Sequence, residues 1–208
     1  MQKLIQRYTA QERANHWVVA ISFILLVLSG LALFQPLFFF LSYVLGGGTW
    51  ARILHPFIGV VLALGFGRMA MRYWGDNKIT DVDRQWMKRI GDVIRNRDEG
   101  LPEIGKYNIG QKYLFWTWVV AILLLFVSGI VIWQPYFAPS FAIGIVRLAV
   151  LVHAFAAFVA ILGLIVHVYS GVMWVRGSLR AMTQGTVTES WARHHHPAWY
   201  RSVSKGAK

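Results

Sequence analysis

Cysteine is absent from all 208 residues. That excludes disulfides, thiolate-held zinc, iron–sulfur clusters bound by this chain, and haem attached covalently through C-x-x-C-H. Charge is also scarce, with Asp, Glu, Lys and Arg together making up 14% of the chain and only 9 acidic residues standing against 21 basic ones. Asp and Glu are missing altogether from the long apolar runs, so a carboxylate proton chain through them is excluded. What the chain has instead is 56% hydrophobic and 15% aromatic residues with a mean hydropathy of +0.47, outside the soluble class. It belongs in a bilayer.

Four segments are long and apolar enough to cross a hydrocarbon core, which takes roughly 20 helical residues. Their expected limits are 15–38, 53–74, 112–133 and 145–174, with a loop over 75–111 and a tail over 175–208, all within one domain spanning 1–208. The first run is too long for a signal-peptide core and lacks a small-residue cleavage pattern, so it is expected to be retained. Formal net charge is +12, and its placement decides its meaning. Of the 21 Lys and Arg residues only Arg52 and Arg147 lie on the side of the two short connections; the rest fall at the N-terminus, in the loop, in the tail or, as Arg68, Arg72 and Lys112, toward the loop-side ends of the second and third spans. The positive-inside rule then places both termini and the loop in the cytoplasm, and no nucleic-acid partner is needed to explain the charge.

Within the loop, "DRQWMKRIGDVIRN" has the pattern of a short amphipathic helix at the membrane surface. The tail carries Trp191, Trp199 and Tyr200 among basic residues, as an interfacial or partner-docking segment would. "FQP" at 34–36 and "WQP" at 133–135 end the first and third spans alike, proline terminating each helix at the same outer face.

The stretch "LVHAFAAFVAILGLIVHVY" carries two imidazoles, His153 and His167, in a run where an unpartnered polar group costs several kcal/mol. Two further histidines, His16 and His55, also lie inside or at the ends of spans. Span direction fixes their depths: His55 and His153 are expected in an outer layer, His16 and His167 in an inner one. His153 and His167 are about 21 Å apart along one helix and within about 40° of the same face. Two facing imidazoles at one depth are what a six-coordinate b-type haem requires, so the four side chains are expected to ligate two haem irons. A lone intramembrane histidine is more often a helix-packing residue, but four that sort into two layers are a different pattern. Zinc would find too few ligands in either pair. Gly30, 14 residues after His16, would let a macrocycle lie close or simply serve a helix contact. Arg68 and Arg72 would pair with haem propionates or extend to the cytoplasmic surface.

"RYTAQERANHW" at 7–17, "RILHPF" at 52–57, "GKYNIGQK" at 105–112, "IWQPYFAP" at 132–139 and "VTESWARHHHPAWYR" at 187–201 together resemble the cytochrome b556 gamma subunit of bacterial membrane-bound formate dehydrogenases, over nearly the whole chain. The resemblance implies an all-α integral membrane protein whose four transmembrane helices bind two haems b, with His16, His55, His153 and His167 at the ligand positions. It further implies a quinone pocket at the cytoplasmic end, served by Asn108, Gly110, Gln111 and His167, with menaquinone or ubiquinone as acceptor. Taken as residues alone, "YNIGQK" reads as a turn before a helix. The implied partners are an iron–sulfur beta subunit and a molybdenum or tungsten alpha subunit, arranged as a trimer of heterotrimers in the bacterial inner membrane. Gln134 stands where that family commonly has Arg, which leaves the contact with the electron-donating partner in doubt. The cytochrome b subunit of a nickel–iron hydrogenase is the nearest alternative, and a haem-free scaffold or transporter a second. No role is assigned to His194, His195 or His196.

Overall fold

The computed structural model describes residues 3–95, 97 and 100–205; three residues of the expected loop and the last three of the expected tail lie outside these. Two compact units are formed, one from Met1–Arg13, Arg72–Trp116 and Val168–Lys208, the other from Ala14–Met71 and Thr117–His167.

Four helices are long and apolar enough to span a membrane: α1 (Ala10–Phe34), α2 (Gly48–Tyr73), and, after two short helices in the loop, α5 (Ile109–Ile132) and α6 (Ile143–Tyr169). Little of each span is buried in the isolated chain, which hydrocarbon rather than water accommodates. Their limits differ from the expected ones by local chemistry. Helix α1 starts five residues earlier because Thr9 and Glu12 form a capping box, the Thr9 amide donating to Glu12 Oε2 at 2.9 Å and the Glu12 amide to Thr9 Oγ1 at 3.3 Å. It stops at Phe34, ahead of Gln35–Pro36, and Pro36–Leu45 is a separate 3-10 helix. Helix α6 continues into a π-helical turn over Ser170–Trp174, closed by a Val175 amide bond to the Ser170 carbonyl at 2.9 Å.

In the second unit, small residues let the spans approach. A Cβ on Gly65 of α2 would stand 3.1 Å from Val19 of α1, and beside it Asn15 donates to the Gly65 carbonyl at 3.0 Å. Trp118 of α5 packs on Phe23 of α1 with ring centroids 5.9 Å apart and donates its indole N–H to the Ala160 carbonyl of α6 at 3.3 Å.

The first unit holds what periodicity did not announce. Strand β1 (Leu4–Gln6) pairs antiparallel with β2 (Thr186–Thr188), and Gly185, at φ +79°, turns the chain into β2. A Cβ there would meet the Tyr8 carbonyl at 2.6 Å. The expected single amphipathic loop helix is instead two, α3 (Asp81–Met87) and α4 (Ile90–Ile94), interrupted at Lys88–Arg89. The tail folds into α7 (Leu179–Thr183), β2, α8 (Glu189–His195) and α9 (Pro197–Lys205). It is tied down by the Ala198 amide bond to the Ile104 carbonyl and by an Arg201–Glu103 ion pair.

Candidate functional site

All four span histidines belong to the second unit. The structure brings His16 of α1 together with His167 of α6, ring centroids 6.3 Å apart and planes at 45°; His55 of α2 faces His153 of α6 at 6.3 Å and 57°. That spacing has a chemical meaning. A metal bonded at about 2.0–2.1 Å to each of two opposed imidazole nitrogens, with each ring centre about 1.1 Å behind its nitrogen, gives a centroid separation of about 6.3 Å. The centroid separation in each pair equals the one that a metal held between two imidazoles requires. Among the described residues no three His, Cys, Asp or Glu side chains converge, so each pair offers two protein ligands. A four-coordinate ion would lack half its donors, whereas a porphyrin iron brings four nitrogens of its own.

The His55–His153 pair is held by hydrogen bonds. Ser29 Oγ lies 2.8 Å from His55 Nδ1 and Ser128 Oγ 3.0 Å from His153 Nδ1. Each serine directly precedes a glycine, Gly30 or Gly129, where an added Cβ would stand 3.4 Å from the same imidazole's Cε1. The missing side chain thus lets each ring settle against the helix that carries its serine. Gly30 was singled out by its spacing from His16; Ser29, Ser128 and Gly129 were not. The signal was present, since "SG" occurs six residues before "QP" in both α1 and α5, at 29–36 and 128–135. In the His16–His167 pair, His16 Nδ1 is buried with no hydrogen-bond partner among the described residues, and His167 packs edge-on against Trp118 at 5.2 Å.

Asn108, Gly110 and Gln111 lie in the first unit, at the start of α5. Asn108 Oδ1 accepts from the Gln111 amide at 2.9 Å and Gln111 Oε1 accepts from the Asn108 amide at 3.0 Å, a reciprocal cap. Each side-chain amide keeps its NH2 group free of that cap, as a donor to a carbonyl ligand. Behind the cap, Lys112 donates to Asp83 Oδ2 at 2.6 Å and to the Lys78 carbonyl at 3.0 Å. Burial opposes ionisation of Asp83, but the hydrogen bonds from Lys112 and Thr80 outweigh it and hold the carboxyl below its ordinary range. Arg72, one of two arginines considered for propionates, pairs instead with Glu12 at 3.2 Å.

His196 of the tail is buried, with Nδ1 2.9 Å from the Gly105 carbonyl and Nε2 3.3 Å from Arg7 Nη2. Burial and the neighbouring Arg7 guanidinium push its pKa down to about 3. Arg7 itself sits within 6.0 Å of the ring centres of Tyr8, Tyr107, Trp191 and Trp199. The tail aromatics that suggested an interfacial segment therefore enclose a cation of the same chain.

Apolar spans, opposed imidazole pairs with a metal-sized gap and no cysteine are the architecture of a polytopic b-type cytochrome. The prokaryotic cytochrome b561 family matches residues 7–185, and the chain belongs to it. Membership implies haem b as cofactor and a multi-pass location in the bacterial inner membrane. The chain is 47% identical over 201 residues to the cytochrome b556(fdo) subunit of formate dehydrogenase from Escherichia coli K12, covering 97% of this chain and 94% of that one. It is 39% identical to the formate dehydrogenase cytochrome b556 subunit of Haemophilus influenzae, covering 95% and 82%. Identity is 38% to the nitrate-inducible cytochrome b556(Fdn) subunit of Escherichia coli K12, over 98% and 93%.

Proposed function

We propose that this chain is the dihaem cytochrome b subunit of a formate dehydrogenase, anchoring an iron–sulfur subunit and a molybdenum or tungsten catalytic subunit to the outer face of the membrane. Haem b, when bound, supplies reversible one-electron transfer between the partner's iron–sulfur centres and a quinone on the cytoplasmic side. The observation that carries this reading is the pair of opposed imidazole couples at 6.3 Å, in a chain 47% identical to a formate dehydrogenase cytochrome.

The chain's own residues have separable tasks. His55 and His153 hold one haem toward the outer face, His16 and His167 the other toward the cytoplasm, and the 14 residues between His153 and His167 set a spacing of about 21 Å along α6. Apolar helix surfaces surround both pairs and leave their ring nitrogens available as ligands. Asn108 and Gln111, oriented by their reciprocal cap, present amide donors to a quinone carbonyl, and Gly110 leaves the approach open. Proton uptake from the cytoplasm with inward electron movement would contribute to the membrane potential. The hydrogenase alternative shares the helix plan, but the relatives reported above are all formate dehydrogenase subunits.

Replacing His55 by Ala in the purified complex tests the assignment. A redox-titrated optical spectrum is expected to lose one of two haem b components and retain the other, with formate-driven reduction abolished beyond the iron–sulfur subunit. Two unaltered haem signals would refute it.

A further inference from the structure

The outer histidines are not held by chance contacts, because the same arrangement occurs twice. In α1, Ser29 Oγ donates to the Leu25 carbonyl at 2.7 Å; in α5, Ser128 Oγ donates to the Leu124 carbonyl at 2.6 Å. A serine hydroxyl has one proton, and the short bond to the carbonyl four residues back commits it. Toward His55 Nδ1 at 2.8 Å and His153 Nδ1 at 3.0 Å, each oxygen can then only accept. Both serines are buried, Ser29 at 1% and Ser128 at 4% exposure, so water does not compete for these bonds.

We propose that Ser29 and Ser128 are positioning residues for the outer haem: each accepts the Nδ1–H of the imidazole opposite, fixing the tautomer that leaves Nε2 to the iron. The inference rests on the reading that His55 and His153 hold that haem. A ligating histidine that donates its other N–H becomes a more basic ligand, and a more basic ligand favours oxidised over reduced iron. The serines therefore lower the reduction potential of the outer haem. His16 of the inner pair has no such partner at Nδ1.

The test uses the complete purified complex carrying Ser29→Ala, Ser128→Ala, Ser29→Thr or Ser128→Thr. Each is titrated potentiometrically by optical and low-temperature paramagnetic resonance spectra. Ser29→Ala is expected to favour reduction of the outer haem by about tenfold, about 59 mV for a one-electron couple. Ser128→Ala is expected to shift it in the same direction, and the inner haem does not move in either variant. The threonine variants keep the hydroxyl and the native potential. If Ser29→Ala loses the outer haem while Ser29→Thr retains it unshifted, the hydroxyl is required and the proposal stands. It is overturned if the alanine variants leave the outer potential unchanged, or if threonine shifts it as far as alanine or loses the haem too. Failure of the underlying reading looks different: the unmodified complex would then show no outer haem to titrate.

Discussion

The ion pair between Lys112 and Asp83 supports the cap at the start of α5, and its removal has a calculable consequence. Lys112 Nζ stands 2.6 Å from Asp83 Oδ2, and the side chains are 8% and 3% exposed. Asp83 Oδ2 also accepts from the Thr80 amide and hydroxyl, each at 2.7 Å. Deleting one partner of a buried pair leaves the other charge uncompensated and costs about 3–5 kcal/mol. Lys112→Met belongs at the lower end, because Thr80 still solvates the Asp83 carboxylate. Asp83→Leu belongs at the upper end, because Lys112 keeps only the Lys78 carbonyl. In the opening equilibrium of residues 78–89 these energies amount to roughly two to three and a half orders of magnitude. The double variant removes both charges and is expected to recover most of the loss, since apolar replacements of a buried pair are often neutral. Native-state proteolysis of the purified complex with trypsin at pH 7, where Asp83 is ionised, reads this directly, because Lys78, Arg84, Lys88 and Arg89 lie in the segment. Cleavage rates within threefold of the unmodified protein in both single variants, or a double variant no slower than the worse single, would refute the reasoning.

Acidification is expected to loosen the tail. His196, at about 3 when buried against an ordinary value near 6.5, makes the folded form bind fewer protons than the undocked form. Its stability is complete above pH 6.5 and declines as pH falls toward 3, by about 2 kcal/mol at pH 5. Fluorescence of Trp191 and Trp199, whose rings lie 5.2 and 6.4 Å from the His196 ring, should change between pH 7 and 4, and a pH-independent signal would contradict it. For the quinone pocket, Asn108→Asp keeps the capping oxygen but loses the amide donor. A raised KM for quinone with unchanged haem spectra is expected, and unaltered kinetics would reduce Asn108 to a helix cap.

How much of this was legible beforehand differs element by element. The spans could be read because an apolar run of membrane length has few alternatives to a helix once backbone polar groups must be satisfied internally. Which histidines come together could be read because position along a helix is nearly linear in residue number. Helix starts were less accessible: the five-residue extension of α1 depends on Thr9 and Glu12 bonding each other's backbone, a local geometry that hydropathy ignores.

By itself, then, the sequence determined four apolar runs of membrane length, the places of four imidazoles along them and the absence of any cysteine thiolate ligand. Tertiary structure decided which side chain stands opposite which. These spans are apolar all round, so periodicity does not say which face turns inward, and only the packed bundle sets Ser29 against His55 and Ser128 against His153. Pairing of residues 4–6 with 186–188 and burial of His196 beside Arg7 likewise join segments more than 180 residues apart. Contacts so distant along the chain arise from the cost and reward of closing long loops, which three-residue strands and a basic, aromatic tail do not advertise locally.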